Sequence, residues 1–445
     1  MDKKTTTRRE FLGASTAAAV AAKTAGLGAL GFGRIAGANE RLNVAVMGVR
    51  SRGRALIYGF AKAGSTVSYI CDVDSRVLDE VSGEMREKGL PRPKTDKDVR
   101  RILEDPAVDA LVIATPDHWH APATLMALQA GKHVYVEKPV SHNPREGELL
   151  VEAQQKYGKV VQMGNQQRSA PESIELMDLI AAGELGDVYQ AYTWYANNRG
   201  SIGNGARVPP PDWLDWELWQ GPAPRRPFQD NYVHYDWHWF WHWGTGETCN
   251  NAAHELDIAR WAMGVGNPER VAARGSRRFH TDDDWEMYDT IELHLDYPGG
   301  RSIEWDGHSC NNVRKFGRGR GTLLYGTKGS VLVDRQGYEI LDLEGKPVRQ
   351  RLREATSADT RDLIGADELT DLHIENFIDV VRGTAARQHS PIDEGVTSTL
   401  MCHLGNIAYR TDSVLQCDPE TGRARSGAAR RLWDRDYERG WEMKV

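Results

Sequence analysis

Leu42-Asn43-Val44-Ala45-Val46-Met47-Gly48-Val49-Arg50-Ser51-Arg52-Gly53 opens on a short apolar run, turns at a glycine, and continues with helical periodicity from about Gly53 to Ala63. An apolar run of this length bounded by glycine predicts a buried strand. Further strands are expected at Thr66 to Asp72, Asp109 to Ala114 and Lys132 to Val136, separated by helix-length segments. Strands alternating with helices at this spacing predict an α/β fold with a parallel sheet covered on both faces.

The hexapeptide Gly48-Val49-Arg50-Ser51-Arg52-Gly53 stands where a G-x-G-x-x-G turn would cradle a pyrophosphate, with Arg50 in place of the second glycine. That glycine lets phosphate approach the backbone. Arg50 must therefore project away or meet the phosphate itself, while helix N-terminal amides near Gly53 still favour an anion. Alone, the turn is equally consistent with a purely structural role. Asp72 adds weight, because a carboxylate ending the second strand accepts hydrogen bonds from the ribose hydroxyls of NAD and repels a 2′-phosphate. NAD is the expected cofactor, with Arg50 and Arg52 keeping NADP open. Thr115, Pro116, Asp117 and His118 follow the third strand and are expected at the carboxyl edge of the sheet, beside the nicotinamide half; a plain loop is the alternative. The fourth strand runs through Gly131-Lys132-His133-Val134-Tyr135-Val136-Glu137-Lys138-Pro139 and delivers Lys138 where hydride chemistry needs a proton donor.

The chain has 445 residues, 27% charged and 40% apolar, which is ordinary globular composition with room for two domains. A net charge of −7 offers no field for nucleic acid, so no nucleic-acid partner is expected. Cys71, Cys249, Cys310, Cys402 and Cys417 show no Cys-x-x-Cys spacing and read as buried thiols, with no metal site indicated. Thr7-Arg8-Arg9-Glu10-Phe11-Leu12 precedes an Ala/Gly-rich, weakly apolar stretch, and Ala36-Gly37-Ala38 offers small residues for a peptidase. Residues 1–38 resemble a twin-arginine export signal, which implies export of the folded protein to the periplasm with its dinucleotide tightly held. A membrane anchor is the alternative, but Lys23 and the glycines make a poor spanning helix, so no stable membrane insertion is expected after processing.

A Rossmann domain is assigned to 39–161. From Gln162, strand-like stretches at Val188 to Tyr195, Glu269 to Gly275, Thr290 to Tyr297, Arg301 to Gly307, Thr322 to Tyr325 and Ser330 to Asp334 predict a second, α+β domain over 162–369 with a large, mostly antiparallel open sheet. Helices are expected at about 251–263, 370–382 and 396–410, and residues 370–445 should pack back on the domains, with Trp433 and Trp441 as docking points.

Half of the 14 tryptophans fall between Trp213 and Trp243, within a Pro/Trp-rich insertion at 208–243, interleaved with His234, Tyr235, Asp236, His238 and His242. Flat aromatic surfaces beside hydrogen-bonding groups suit the apolar faces of pyranose rings, and a mini-core under a loop is the competing account. About half of these rings are expected to pack inward, with the rest edging a cleft. Alternation of Trp237, Trp239, Trp241 and Trp243 predicts an extended strand that turns His238 and His242 to the opposite face.

These pieces together resemble the glucose-fructose oxidoreductase/inositol dehydrogenase (Gfo/Idh/MocA) family. The markers are the strand-turn at Gly48, Cys71-Asp72-Val73-Asp74, Ala114-Thr115-Pro116-Asp117-His118-Trp119-His120, Gly131 through Pro139, and Asn250-Asn251-Ala252-Ala253-His254-Glu255-Leu256-Asp257. The resemblance implies a cofactor site comprising Gly48, Val49, Arg50, Arg52, Gly53, Asp72, Thr115, Pro116, His118, His120, Glu137 and Lys138. It implies Lys138 and His254 as catalytic groups, with Asn250 completing the expected catalytic set, and a homo-oligomer formed through the open sheet. Where the family commonly has an aspartate four residues before the histidine, this chain has Asn250, which can orient an imidazole but cannot raise its pKa. Asn250 and His254, with Tyr195, His234, Tyr235, Trp237 and His238, make up the expected substrate side. The expected activity is oxidation of a secondary hydroxyl, by analogy at carbon 3, of a sugar or glycoside. A glycosidase that oxidises transiently and eliminates the glycosidic group is the nearest rival, and a non-catalytic carbohydrate-binding protein is the third possibility.

Overall fold

The computed structural model describes residues 41–353 and 368–445; the expected export signal over 1–38 lies outside them. The first domain runs β1 (Asn43–Met47), α1 (Arg52–Lys62), β2 (Thr66–Cys71), α2 (Ser75–Glu87), β3 (Lys94–Asp96), α3 (Val99–Leu103), β4 (Ala110–Ile113), α4 (Asp117–Gln129), β5 (His133–Val136), α5 (Pro144–Tyr157) and β6 (Val161–Met163). Its six strands form one sheet in the order β3-β2-β1-β4-β5-β6, parallel throughout. This is the doubly wound order, and the expectation of an α/β fold is met. Val44, Val46, Ala110, Val112 and Tyr135 pack against one helical layer, and Ala45, Leu111, Ile113, Val134 and Val136 against the other. Burial on both faces is why these strands read as unbroken apolar runs rather than alternating ones. The parallel sheet continues through β6, past the composition shift at Gln162.

The second domain follows with α6 (Pro171–Ala181), β7 (Val188–Ala196), the short α7 (Trp216–Gln220), α8 (Ala253–Met263), β8 (Arg270–Ser276), β9 (Thr290–Tyr297), β10 (Arg301–His308), β11 (Arg320–Gly326), β12 (Ser330–Asp334), β13 (Gly337–Leu341) and β14 (Pro347–Leu352). The chain closes with α9 (Glu368–Val381), α10 (Ile392–Arg410), β15 (Leu415–Gln416) and α11 (Gly427–Arg430). The nine-stranded sheet has the order β14-β13-β12-β11-β7-β10-β9-β8-β15, and only the β7–β10 pair is parallel. Strands β9 and β10 alternate buried and open positions, as a sheet covered on one face requires. Helices α8 and α10 supply that cover through Leu256, Ile258, Met401 and Leu404. Strands β13 and β14 extend the predicted sheet; β14, Pro-Val-Arg-Gln-Arg-Leu, is exposed along its whole length and gave no apolar pattern to find.

The closing segments build both domains. Helix α9 sends Ile374, Phe377 and Ile378 into the core of the parallel sheet, where the Ile374 methyl occupies the space a side chain at Gly59 would need. Trp441 meets Trp119 edge-on at 5.1 Å, and Trp433 donates to Glu148 at 3.0 Å.

The insertion departs from the expected strand. Asp236–Trp239 forms a 3₁₀ turn, so alternation in sequence does not become alternation in space, and the His238 ring stacks on Trp237 at 3.6 Å. Trp216, Trp219, Trp237, Trp239 and Trp243 are all buried, so more rings pack inward than the expected half. Packing of indoles on one another removes far more apolar area from water than a one-ring-deep ribbon could.

Arg168 and Asp257 fasten the junction. The guanidinium donates from Nε to Oδ2 at 2.7 Å and from Nη2 to Oδ1 at 2.9 Å, with both side chains almost fully buried. Breaking such a pair from one side leaves a buried, unpaired charge. Arg168→Met should lower unfolding free energy by about 3–5 kcal/mol, seen as a reduced urea midpoint; an unchanged midpoint would show the pair to be dispensable.

Candidate active site

A cleft of about 1210 Å³ opens along the carboxyl ends of the parallel strands. The strand order reverses between β1 and β4 there, which leaves a crevice no helix can fill. One wall comes from the turns after β1, β2, β4 and β5; the other comes from β7, the insertion, the start of α8 and the loop before β11.

The first wall suits a dinucleotide. Gly48 has φ of +80°, and a Cβ there would lie 2.7 Å from the Ala114 carbonyl oxygen, so only glycine permits the turn. At Gly53 a Cβ would lie 1.9 Å from the Gly48 oxygen, which lets α1 begin hard against the turn and point its N-terminal amides at the cleft. The Thr115 hydroxyl is buried without a protein partner at the same wall, an unspent hydrogen-bonding group. Asp72 accepts from the Val49 amide at 2.9 Å and from the Asp74 amide at 3.0 Å, which aims its carboxylate along the cleft edge; burial raises its pKa.

Lys138 sits just past β5. Its Nζ donates to the Asn250 carbonyl oxygen at 2.6 Å and to Asn250 Oδ1 at 3.1 Å. Asn250 belongs to a π-helical turn, Thr248–Ala252, that runs into α8 and brings His254 to the cleft one turn later. The extra residue of a π turn swings a carbonyl away from the ladder, and here that carbonyl meets the ammonium. Burial lowers the Lys138 pKa, opposed by Glu137 and Asp117. Burial also drives His254 well below the usual histidine range, helped by the cations Arg335, Lys138 and Arg320, so the imidazole is neutral at physiological pH. Asp117, bonded by the Thr245 hydroxyl, is pushed up to about 7 by burial.

Two family models cover the two domains: an oxidoreductase-family NAD-binding Rossmann fold matches residues 42–165, and the GFO/IDH/MocA C-terminal domain matches residues 223–332. The chain belongs to the Gfo/Idh/MocA oxidoreductase family. It is 25% identical over 254 residues to the scyllo-inositol 2-dehydrogenase (NAD(+)) of Bacillus subtilis, covering 56% of this chain and 61% of that one. It is 26% identical over 161 residues to a glycosyl hydrolase family 109 protein of Shewanella pealeana, covering 35% of each chain. The chain therefore spans between about a third and three-fifths of the length of these curated relatives. Among solved structures, a levoglucosan dehydrogenase in complex with NADH and levoglucosan superposes with a TM-score of 0.64 at 18% identity, over 84% of this chain and 99% of that one, which shows a shared fold.

The cleft of this family member brings together most of the residues expected from sequence. Gly48, Arg50, Arg52, Asp72, Thr115, Pro116, His120, Glu137 and Lys138 line it on the dinucleotide wall. Tyr195, His234, Tyr235, Trp237, His238, Asn250 and His254 line it opposite. Three expected cofactor contacts fall outside. Val49 turns its side chain into the sheet core, Gly53 supports the turn from behind, and the fully buried His118 ring binds the Trp219 carbonyl oxygen at 2.9 Å through Nε2. His118 is on α4, whose first turn carries it away from the strand edge. The three insertion histidines diverge: His234 Nε2 meets Asp74 at 2.9 Å, His238 Nδ1 the Tyr235 carbonyl at 2.6 Å, and His242 Nε2 the Pro224 carbonyl at 2.7 Å.

Sequence reasoning missed Arg199 and Glu247. Arg199 Nε donates to Glu247 Oε2 at 2.8 Å, and Arg199 Nη1 donates to the Tyr235 hydroxyl at 2.8 Å. Neither residue belongs to a motif quoted above. The available signal was position: each lies within four residues of a residue already singled out, Tyr195 or Asn250.

His118, His142 and His254 are held well below 6.5 by burial, and His238 and His373 are lowered by it to about 3. Below about pH 6.5 the unfolded chain binds protons that the folded one refuses, so these five groups withdraw stability as pH falls through that value. Each should cost on the order of 1 kcal/mol at pH 5.5. Urea midpoints at pH 8 and 5.5 check this: the midpoint should fall sharply, and a flat profile would mean the rings are protonated in the fold.

Proposed function

We propose that the protein oxidises a secondary hydroxyl of a sugar or glycoside with NAD held in the cleft. The observation that carries this reading is that a desolvated ammonium, Lys138, and a neutral imidazole, His254, line one crevice at the carboxyl ends of the parallel strands, close enough to interact electrostatically. NAD, when bound, supplies the hydride acceptor. As the carbinol C–H bond weakens, negative charge gathers on the hydroxyl oxygen, and an ammonium donor stabilises that charge more than the neutral alcohol. Burial and the neighbouring cations keep His254 neutral, with the basic ring nitrogen that proton removal requires. Tyr195, Tyr235 and His238 supply hydrogen-bonding groups beside the Trp237 ring for a polyhydroxylated substrate.

Carbon 3 is the favoured position by chemical analogy with related sugar oxidations. Arg8-Arg9 and the apolar stretch behind them support twin-arginine export to the periplasm. The exposed edge strand β14 and the open sheet face support assembly with further copies.

One observation favours the redox-neutral glycosidase as a second reading. The Tyr195 hydroxyl at the cleft accepts from Asn197 Nδ2 at 2.7 Å and Arg199 Nη2 at 3.4 Å, which fixes it as an additional acid–base group for elimination, although burial and the Glu247 charge push its pKa up to about 12. Its similarity to a glycosyl hydrolase family 109 protein points the same way.

Near-ultraviolet absorbance after adding sugars separates these. Accumulating reduced cofactor identifies a dehydrogenase, sugar cleavage without net reduction a glycosidase, and absence of bound dinucleotide a carbohydrate-binding protein. Lys138→Ala should keep the dinucleotide and lower turnover by about 10²–10⁴; equal turnover would remove the lysine from the mechanism.

A further inference from the structure

Glu247 carries a buried charge behind Arg199 and Asn250 of the cleft wall. Its side chain is 1% exposed, yet five donor groups surround it: Arg199 Nε at 2.8 Å and Nη2 at 3.2 Å, the Ser309 hydroxyl at 3.0 Å, the Asn251 amide, and Asn250 Nδ2 at 3.4 Å. Burial would raise its pKa, but the Arg199 guanidinium and these donors hold it below the usual range, so it is a carboxylate. A carboxylate only accepts. The Asn250 amide must therefore turn its NH₂ toward Glu247, which leaves Oδ1 for the Lys138 ammonium at 3.1 Å. With the NH₂ turned the other way, two donors would face each other at Lys138 and two acceptors at Glu247.

We propose that Glu247 is the positioning residue of this site: anchored by Arg199, it fixes the Asn250 amide so that a neutral oxygen holds the Lys138 ammonium toward the substrate hydroxyl. This rests on the oxidation chemistry proposed above, in which Lys138 serves the reacting oxygen. Glu247 places negative charge one side chain away from the lysine instead of against it. The ammonium is thereby oriented without a strong ion pair that would blunt its donation to substrate. Glu137 and Asp117 favour the charged form of Lys138, Arg335 and Arg320 oppose it, and the His254, His238 and His120 rings also face it. The same Arg199 donates to the Tyr235 and Tyr195 hydroxyls, both of which line the cleft, so the carboxylate that anchors Arg199 also orients them.

The test uses the full chain with Glu247→Gln, Glu247→Asp, Asn250→Asp and the Glu247→Gln/Asn250→Asp pair. Two readouts are taken: the pH at which Lys138 is half modified by a small amine-reactive reagent, mapped by mass spectrometry, and the pH profile of kcat. Glu247→Gln should lower the half-modification pH by about one unit, and Asn250→Asp should raise it by a similar amount. The pair, which exchanges carboxylate and amide, should return it toward the parent value and recover turnover about tenfold over Glu247→Gln. Glu247→Asp keeps the charge against Arg199 but withdraws the oxygen from Asn250, and should shift Lys138 in the same direction as Glu247→Gln. It serves if the glutamine variant fails to fold. An unmoved Lys138 titration in Glu247→Asp, or a pair with no recovery, would overturn the proposal and leave Glu247 as the partner of Arg199 alone. A parent protein that oxidises no sugar would sink the functional reading instead, while the labelling result would still judge the positioning role.

Discussion

An ammonium removed from water needs acceptors in fixed places, and the Lys138–Asn250 contact meets that need. It joins the end of a parallel strand to a π turn 112 residues later, at 2.6 Å and 3.1 Å, across the crevice where the site lies. For the lysine to arrive there, β5 must be an interior strand with its carboxyl end at the cleft. For the acceptor to arrive, the turn before α8 must carry one residue more than an α-helix allows. Both halves of the fold are arranged around that meeting.

The surroundings reinforce it by excluding water. The tryptophan-rich insertion stacks Trp216 on its own Trp219 and Trp239 on Trp285 from the segment before β9, and Trp219 and Trp237 line the cleft. A site closed in this way keeps His254 neutral and strengthens each remaining hydrogen bond. The Arg199–Glu247 and Arg320–Glu255 pairs hold charges near the site that burial alone would expel. Buried ion pairs contribute little net stability against apolar packing, so their presence in this wall is better explained by the orientation they impose than by the energy they add.

Much of the site was legible because its dinucleotide half is built from consecutive residues at strand ends. A glycine that must take a positive φ, an acid closing β2, and a lysine closing β5 are each placed by a local rule, and the parallel order then lines them up. His118 shows where such rules stop. One residue beyond Asp117, the start of α4 rotates its ring out of the cleft and against the Trp219 carbonyl, and no spacing in sequence distinguishes the two positions. The insertion misled for a related reason: alternation of aromatic and polar residues predicts a strand only where a sheet edge is available to pair with it, and this segment had its own rings to pack on instead.

Sequence by itself determined the order of elements and the parallel character of the first sheet, which follow from periodicity and local turns, and it singled out Lys138, Asn250 and His254 through motifs that resemble those of the family. Only the tertiary structure decided that Arg199 and Glu247 belong to the same site, that the Asn250 amide is held between a carboxylate and an ammonium, and that α9 completes the first domain. Each depends on a contact between distant segments, Arg199 with Glu247 at 48 residues, Lys138 with Asn250 at 112 and Arg52 with Thr370 at more than 300, and such contacts are set by how layers pack rather than by any neighbour along the chain.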